Sequence, residues 1–259
     1  MFSISGPQFK MKWLKCSPSK VPFFAVIHAL FWLPIIYVVA VLHDHVQPIV
    51  PYVSSLGIYP PEKYIFTTSM ASYGVLTIIS QWFWCIMMGR RFAQKSFQSK
   101  ISKMLSIMTT TMFTISGSSI IILSFIDTRS YDDIHYYLAL LTFGSHAAAI
   151  PLGTLLVLLV FRPWIWFCLG RIIILLQMII GSYFFVHFNE AGQLVEEAED
   201  IYYIKKHEPG YEEFKWSALS EWFVVMGFLE ITLITGFELR SYEKQRVNRQ
   251  KMSSGEEGV

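Results

Sequence analysis

The stretch that decides the fold runs from Tyr37 to Glu62, YVVAVLHDHVQPIVPYVSSLGIYPPE. It begins as the end of a long apolar run and leaves it at His43-Asp44-His45. It then becomes a loop carrying Pro48, Pro51, Pro60 and Pro61, and Lys63-Tyr64 opens the next apolar run. Each proline fixes its own φ, removes a backbone donor and biases the residue before it away from helix. Backbone of that kind cannot cross hydrocarbon, where no water satisfies the freed polar groups. The reading is a stiffened loop at the membrane surface, joining two helices that span it.

Working outward, the rest of the chain has the same character. Hydrophobic residues make up 53% of the 259 and charged residues only 15%, against about 25% charged in an ordinary soluble domain. The run before the loop, 21–42, is about 33 Å long as a helix, enough for roughly 30 Å of hydrocarbon. It is too long for a signal-peptide core and lacks a small-residue cleavage site. Further spans are predicted at about 64–88, 104–126, 135–161, 165–186 and 216–237. Residues 1–240 read as one six-span domain of an all-α polytopic membrane protein, and 241–259 as a disordered cytosolic tail of mixed charge.

Basic residues near span ends are retained in the cytosol. With the amino terminus inside, sixteen of the 21 basic residues fall on inside segments: Lys10, Lys12, Lys15 and Lys20; Arg90, Arg91, Lys95, Lys100 and Lys103; Arg162 and Arg171; Arg240, Lys244, Arg246, Arg249 and Lys251. Both termini are therefore expected in the cytosol. A basic inner surface suits anionic lipid, including phosphoinositides, although retention alone produces the same pattern. The net charge of +2 gives no reason to expect nucleic acid as a partner.

The first outer loop is the proline loop, and the second, 127–134, carries Asp127, Asp132 and Asp133. The third, 187–215, is long and acidic, with apolar residues at helical spacing over 191–202 that suggest an amphipathic surface helix. Its carboxylates lack calcium-loop spacing, and no Asn-x-Ser/Thr acceptor occurs. Cys16, Cys85 and Cys168 have no metal spacing and no shared loop, so neither a disulfide nor a metal is expected. Cys16, in a basic arm beside the membrane, is a palmitoylation candidate.

Ionisable groups inside spans are costly and normally face the bundle interior. Four stand out: His28, His146, Glu221 and Glu230. By depth, a His28–Glu230 contact is open. Glu221 and Glu230, nine residues apart, face opposite sides of one helix, which counts against a carboxylate pair. Each is expected to be bonded by a neighbouring helix and to fix packing. Small residues at 117–119 and 144–153 read as close helix contacts. Hydrolase, zinc-protease, P-loop and dinucleotide signatures are absent. No catalytic residue, cofactor or metal is assigned, and the chain is not expected to be an enzyme.

Two blocks carry a resemblance. Tyr37–Phe66, YVVAVLHDHVQPIVPYVSSLGIYPPEKYIF, includes Pro51, Tyr52, Ser54, Gly57, Pro60, Pro61 and Glu62; Ser217–Phe228, SALSEWFVVMGF, heads the last span. Together they resemble the DRAM family (damage-regulated autophagy modulators) within the DRAM/Sfk/transmembrane-150 superfamily. His135 matches a family histidine at the start of span four. Where that family has Ser-Asp-Thr-Gly, this chain has Ser54-Ser55-Leu56-Gly57, which suggests a more distant branch. The resemblance implies six spans and a lysosomal or endosomal protein that modulates autophagy through protein and lipid contacts, the protein partners unknown. Other branches imply a plasma-membrane regulator of phosphatidylinositol 4-kinase recruitment, or a role in remodelling GPI-anchor lipids.

Overall fold

The computed structural model describes residues 17–94, 100–160, 165–193 and 206–254. It contains six long helices: α1 Lys20–Leu42, α2 Glu62–Gln94, α3 Lys100–Leu123, α4 Asp132–Val160, α5 Ile165–Gln193 and α6 Tyr211–Ser254. A single 3-10 turn, Ser54–Gly57, sits in the loop between α1 and α2. All six helices are long and apolar enough to cross a bilayer, and no strand occurs among the described residues. The chain is thus an all-helical six-span bundle.

The helices pack in sequence order into a ring that α1 and α6 close, with α2 also touching α6 across the middle. The usual polarity of a soluble protein is inverted. Phe24, Ile27, Phe31, Ile173, Leu176 and Ile180 lie exposed on the outside, while Glu238, Arg171, His146 and many hydroxyls are buried inside. Lipid solvates the first group and only protein can satisfy the second. Hydroxyls such as Thr109, Thr142 and Thr154 satisfy themselves on the carbonyl four residues back, which lets them sit in an apolar bundle. Helices α2 and α3 approach closely at Gly74 and Gly117. A Cβ on Gly74 would lie 2.8 Å from the Gly117 carbonyl oxygen, so the small residues of α3 do serve packing.

Two boundaries differ from expectation. The chain does not become a disordered tail at 241: α6 continues as helix to Ser254, and 255–259 lie outside the described residues. The reason is partly local, since Glu, Lys, Arg and Gln favour helix, and partly tertiary. Tyr242 packs into a buried cluster with Trp84, Leu156 and Leu239, and Arg91 donates to Gln245. Glu243 accepts hydrogen bonds from the Ser19 backbone at 3.1 Å and hydroxyl at 2.8 Å, where a carboxylate complements the N-terminus of α1. Likewise α5 runs past 186 to Gln193. The amphipathic helix expected over 191–202 falls largely outside the described residues, as does Cys16.

The proline loop begins with a well-formed helix stop. Asp44 takes φ 56°; its N–H bonds the Val41 carbonyl, and that of His45 bonds the Ala40 carbonyl. This is a Schellman motif with Asp in the left-handed position more often held by Gly.

Candidate functional site

The two sequence blocks that carry the family resemblance meet in space. Glu221 of α6 accepts a hydrogen bond from the Val53 N–H at 2.6 Å, and the Ser54 backbone and hydroxyl face the same carboxylate. One residue on, the Trp222 indole donates to the Pro51 carbonyl at 2.8 Å. A carboxylate and an indole on consecutive residues thus take up the free backbone groups of a loop whose prolines prevent it from pairing them internally. Tyr52 wedges edge-on between Phe185 and Phe214. Burial, and to a lesser extent the Glu221 charge, push its phenol above the usual range, with Ser217 acting the other way.

The loop is tied to its own helices as well. His45 pairs with the fully buried Glu62 at 2.5 Å, closing the segment that contains the cis Pro60–Pro61 bond. Tyr37 donates to the Pro48 carbonyl at 2.7 Å. Gly57 has a steric reason: a Cβ there would sit 2.6 Å from the Phe66 ring. Val46, Val53, Leu56 and Phe66 cluster with Leu33 and Ile36 below. From the side, Lys63 pairs with Asp127 at 2.7 Å and Arg129 lies over the Tyr59 ring, so the α3–α4 connection braces the same cap. Burial works against the Asp127 charge, but Lys63 and the Ser130 backbone and hydroxyl outweigh it and hold the carboxyl below its ordinary value.

Beneath the cap lies a mostly apolar cavity of about 60 Å³, walled by five of the six helices. Leu33, Phe66, Met70, Ile120, Phe143 and Phe228 supply its apolar walls; Ser54, Tyr73, His135, Thr142 and Glu221 are its polar ones. His135 is held through Nδ1 to the Ile126 carbonyl at 2.5 Å.

The other intramembrane candidates lie elsewhere. Fully buried His146 bonds the Ser116 hydroxyl at 3.0 Å and packs between the Phe113 and Phe228 rings. His28 does not reach Glu230; its Nε2 lies 3.2 Å from the Ser69 carbonyl. Glu230 sits half-buried against Gln177 of α5. Glu221 and Glu230 do face different neighbours, as their spacing requires.

Sequence reasoning missed the most deeply buried charges. Arg171 of α5 makes a bidentate pair with Glu238 of α6, at 3.0 and 2.8 Å, both fully buried. The Trp84 indole donates to the same carboxylate, and Gly153 leaves room for the guanidinium. A signal existed: Arg171 lies six residues inside the predicted fifth span, too deep for a flanking anchor. Its partner was invisible because Glu238 falls just past the predicted end of the sixth.

Among the described residues no group of three or more His, Cys, Asp or Glu side chains is arranged to hold a metal ion. No curated protein and no solved structure matches the chain. The profile of the Frag1/DRAM/Sfk1/Cwh43P N-terminal domain matches residues 18–242, from the start of α1 through the membrane portion of α6 and across both loop-forming blocks. By that match the chain belongs to the Frag1/DRAM/Sfk1 family.

Proposed function

We propose that this protein is a lysosomal or endosomal membrane regulator of autophagy that performs no reaction of its own and acts through protein and lipid contacts. Family membership supports the class. The observation that carries the mode of action is the Glu221–Val53 bond with its neighbour Trp222–Pro51. The two family blocks are bonded to each other in shaping one cap, which is what a docking surface needs. With the basic ends facing the cytosol, that cap faces the lumen and both termini face the cytosol. The test is tagging the full chain alongside lysosomal, endosomal and surface markers and measuring autophagic flux after its depletion. Co-residence with lysosomal markers and altered flux are expected; residence at the cell surface alone, with unchanged flux, would defeat the reading.

One observation favours a second reading, a plasma-membrane regulator of phosphatidylinositol 4-kinase recruitment. The helical extension of α6 presents Arg240, Lys244 and Arg246 on its exposed surface, and each basic group near anionic lipid contributes on the order of 1 kcal/mol. The same tagging experiment separates the two.

A further inference from the structure

The cavity beneath the cap has a one-sided hydrogen-bonding character. Its polar side chains are Ser54, Tyr73, His135, Thr142 and Glu221, and the hydrogens of the first four are already directed elsewhere. Thr142 donates to the Leu138 carbonyl. Thr232 donates to Phe228, so the Tyr73–Thr232 bond uses the Tyr73 hydrogen. Ser54 faces Glu221. The contact between His135 Nδ1 and the Ile126 carbonyl places the imidazole proton on that nitrogen, leaving a lone pair on the other. What the walls offer is lone pairs.

They also hold a buried carboxyl group. Glu221 is buried and pairs with no cation among the described residues. Its partners are the backbone and hydroxyl of the cap, which are neutral dipoles. A buried charge is ordinarily paired, and each of the other deeply buried acids, Glu62 and Glu238, has a basic partner. The rest of the cavity is hydrocarbon-like, with Leu33, Phe66, Met70, Ile120 and Phe228 on its walls. Its volume, about 60 Å³, compares with about 10–15 Å³ needed for one water on the same kind of measure. It is partly open rather than sealed, so a chain longer than the cavity has an exit.

We propose that this cavity binds a single-chain amphiphile with a cationic amine head, the ammonium pairing with Glu221 under the cap and the alkyl chain lying among Leu33, Phe66, Met70 and Phe228. An alkylammonium has donors where the walls have lone pairs, and its positive charge favours the ionised form of the one carboxyl group there. A fatty acid has neither, and a fatty alcohol has the donor without the charge. The inference goes beyond the regulatory reading and holds whichever membrane houses the chain.

The test uses the full-length protein in phosphatidylcholine nanodiscs and octadecylamine carrying a diazirine on its chain, with crosslinks mapped by peptide mass spectrometry. Labelling is expected on the cavity walls of α2 and α6. Unlabelled octadecylamine should compete for it, while stearic acid and octadecanol at the same concentration should not. Glu221→Gln should lower site labelling by at least about tenfold, the weight of one charge-assisted hydrogen bond, and Glu230→Gln should leave it unchanged. Should Glu221→Gln fail to fold, Val225→Phe decides, since it fills the cavity while keeping the Glu221 side chain and should abolish the same crosslinks. Labelling confined to outward-facing surfaces such as Ile173 and Ile180, persistence in Val225→Phe, or equal competition by the acid or the alcohol would each overturn the proposal.

Discussion

Glu221 and Val53 are 168 residues apart in the chain and 2.6 Å apart in space. Their bond joins the last helix to the first loop, and Trp222 repeats the attachment one residue on. Removing the acceptor strands a buried N–H, a loss of about 1–3 kcal/mol. Glu221→Ala should therefore destabilise more than Glu221→Gln, which keeps one acceptor oxygen. Trp222→Phe should cost about 1 kcal/mol. Thermal unfolding of both single variants and the double variant in detergent should show coupling of about 0.5–3 kcal/mol; strict additivity would mean the two contacts hold separate structures.

The Arg171–Glu238 pair makes a different prediction. Either Arg171→Met or Glu238→Gln alone leaves a buried charge without its partner and should cost about 3–5 kcal/mol. The double variant removes both charges and should recover much of that loss. A double variant as unstable as the sum of the singles would show that the pair is not one unit.

Stability should also depend on pH through Asp127. Its folded carboxyl lies below the ordinary value, so its contribution is present above about pH 4, the unfolded range of aspartate, and is lost as pH falls through the lower folded value. The difference in melting temperature between wild type and Asp127→Asn should be constant above about pH 5 and should close under stronger acid. A gap that does not narrow would assign the effect to shape rather than charge.

Where α2 meets α3, Gly74→Ala should cost about 1–3 kcal/mol by overpacking, because the new methyl meets the Gly117 carbonyl and Ile121 at 2.8 and 2.7 Å. Gly144→Ala, with nothing within 4 Å of its Cβ position, should be neutral or slightly stabilising. Comparative melting curves of the two variants check this; equal effects would refute the close approach.

Orientation is open to direct labelling. In a Cys16→Ser background, Asp44→Cys places a thiol in the exposed cap and Lys103→Cys one at the basic end. In sealed membrane vesicles with the cytosolic face outward, a membrane-impermeant maleimide should label the second and reach the first only after permeabilisation. The reverse pattern would invert the topology.

The six spans and the proline loop were legible in the sequence because their cause is local. Apolar runs of sufficient length must become helices in lipid, and prolines forbid helix at the joint. The opposite faces of Glu221 and Glu230 followed from helical spacing alone. Pairing was another matter. That Glu221 holds Val53, that His45 finds Glu62 and that Arg171 finds Glu238 depends on which helices become neighbours. Spacing along one chain does not determine contacts between elements far apart in it. The helix past residue 240 was missed for a related reason: its charged residues favour helix locally, but the docking of Tyr242 and Glu243 that holds it is tertiary. The sequence alone determined what must be buried in lipid. The assembled bundle decided which buried charges meet, because only there are their partners within reach.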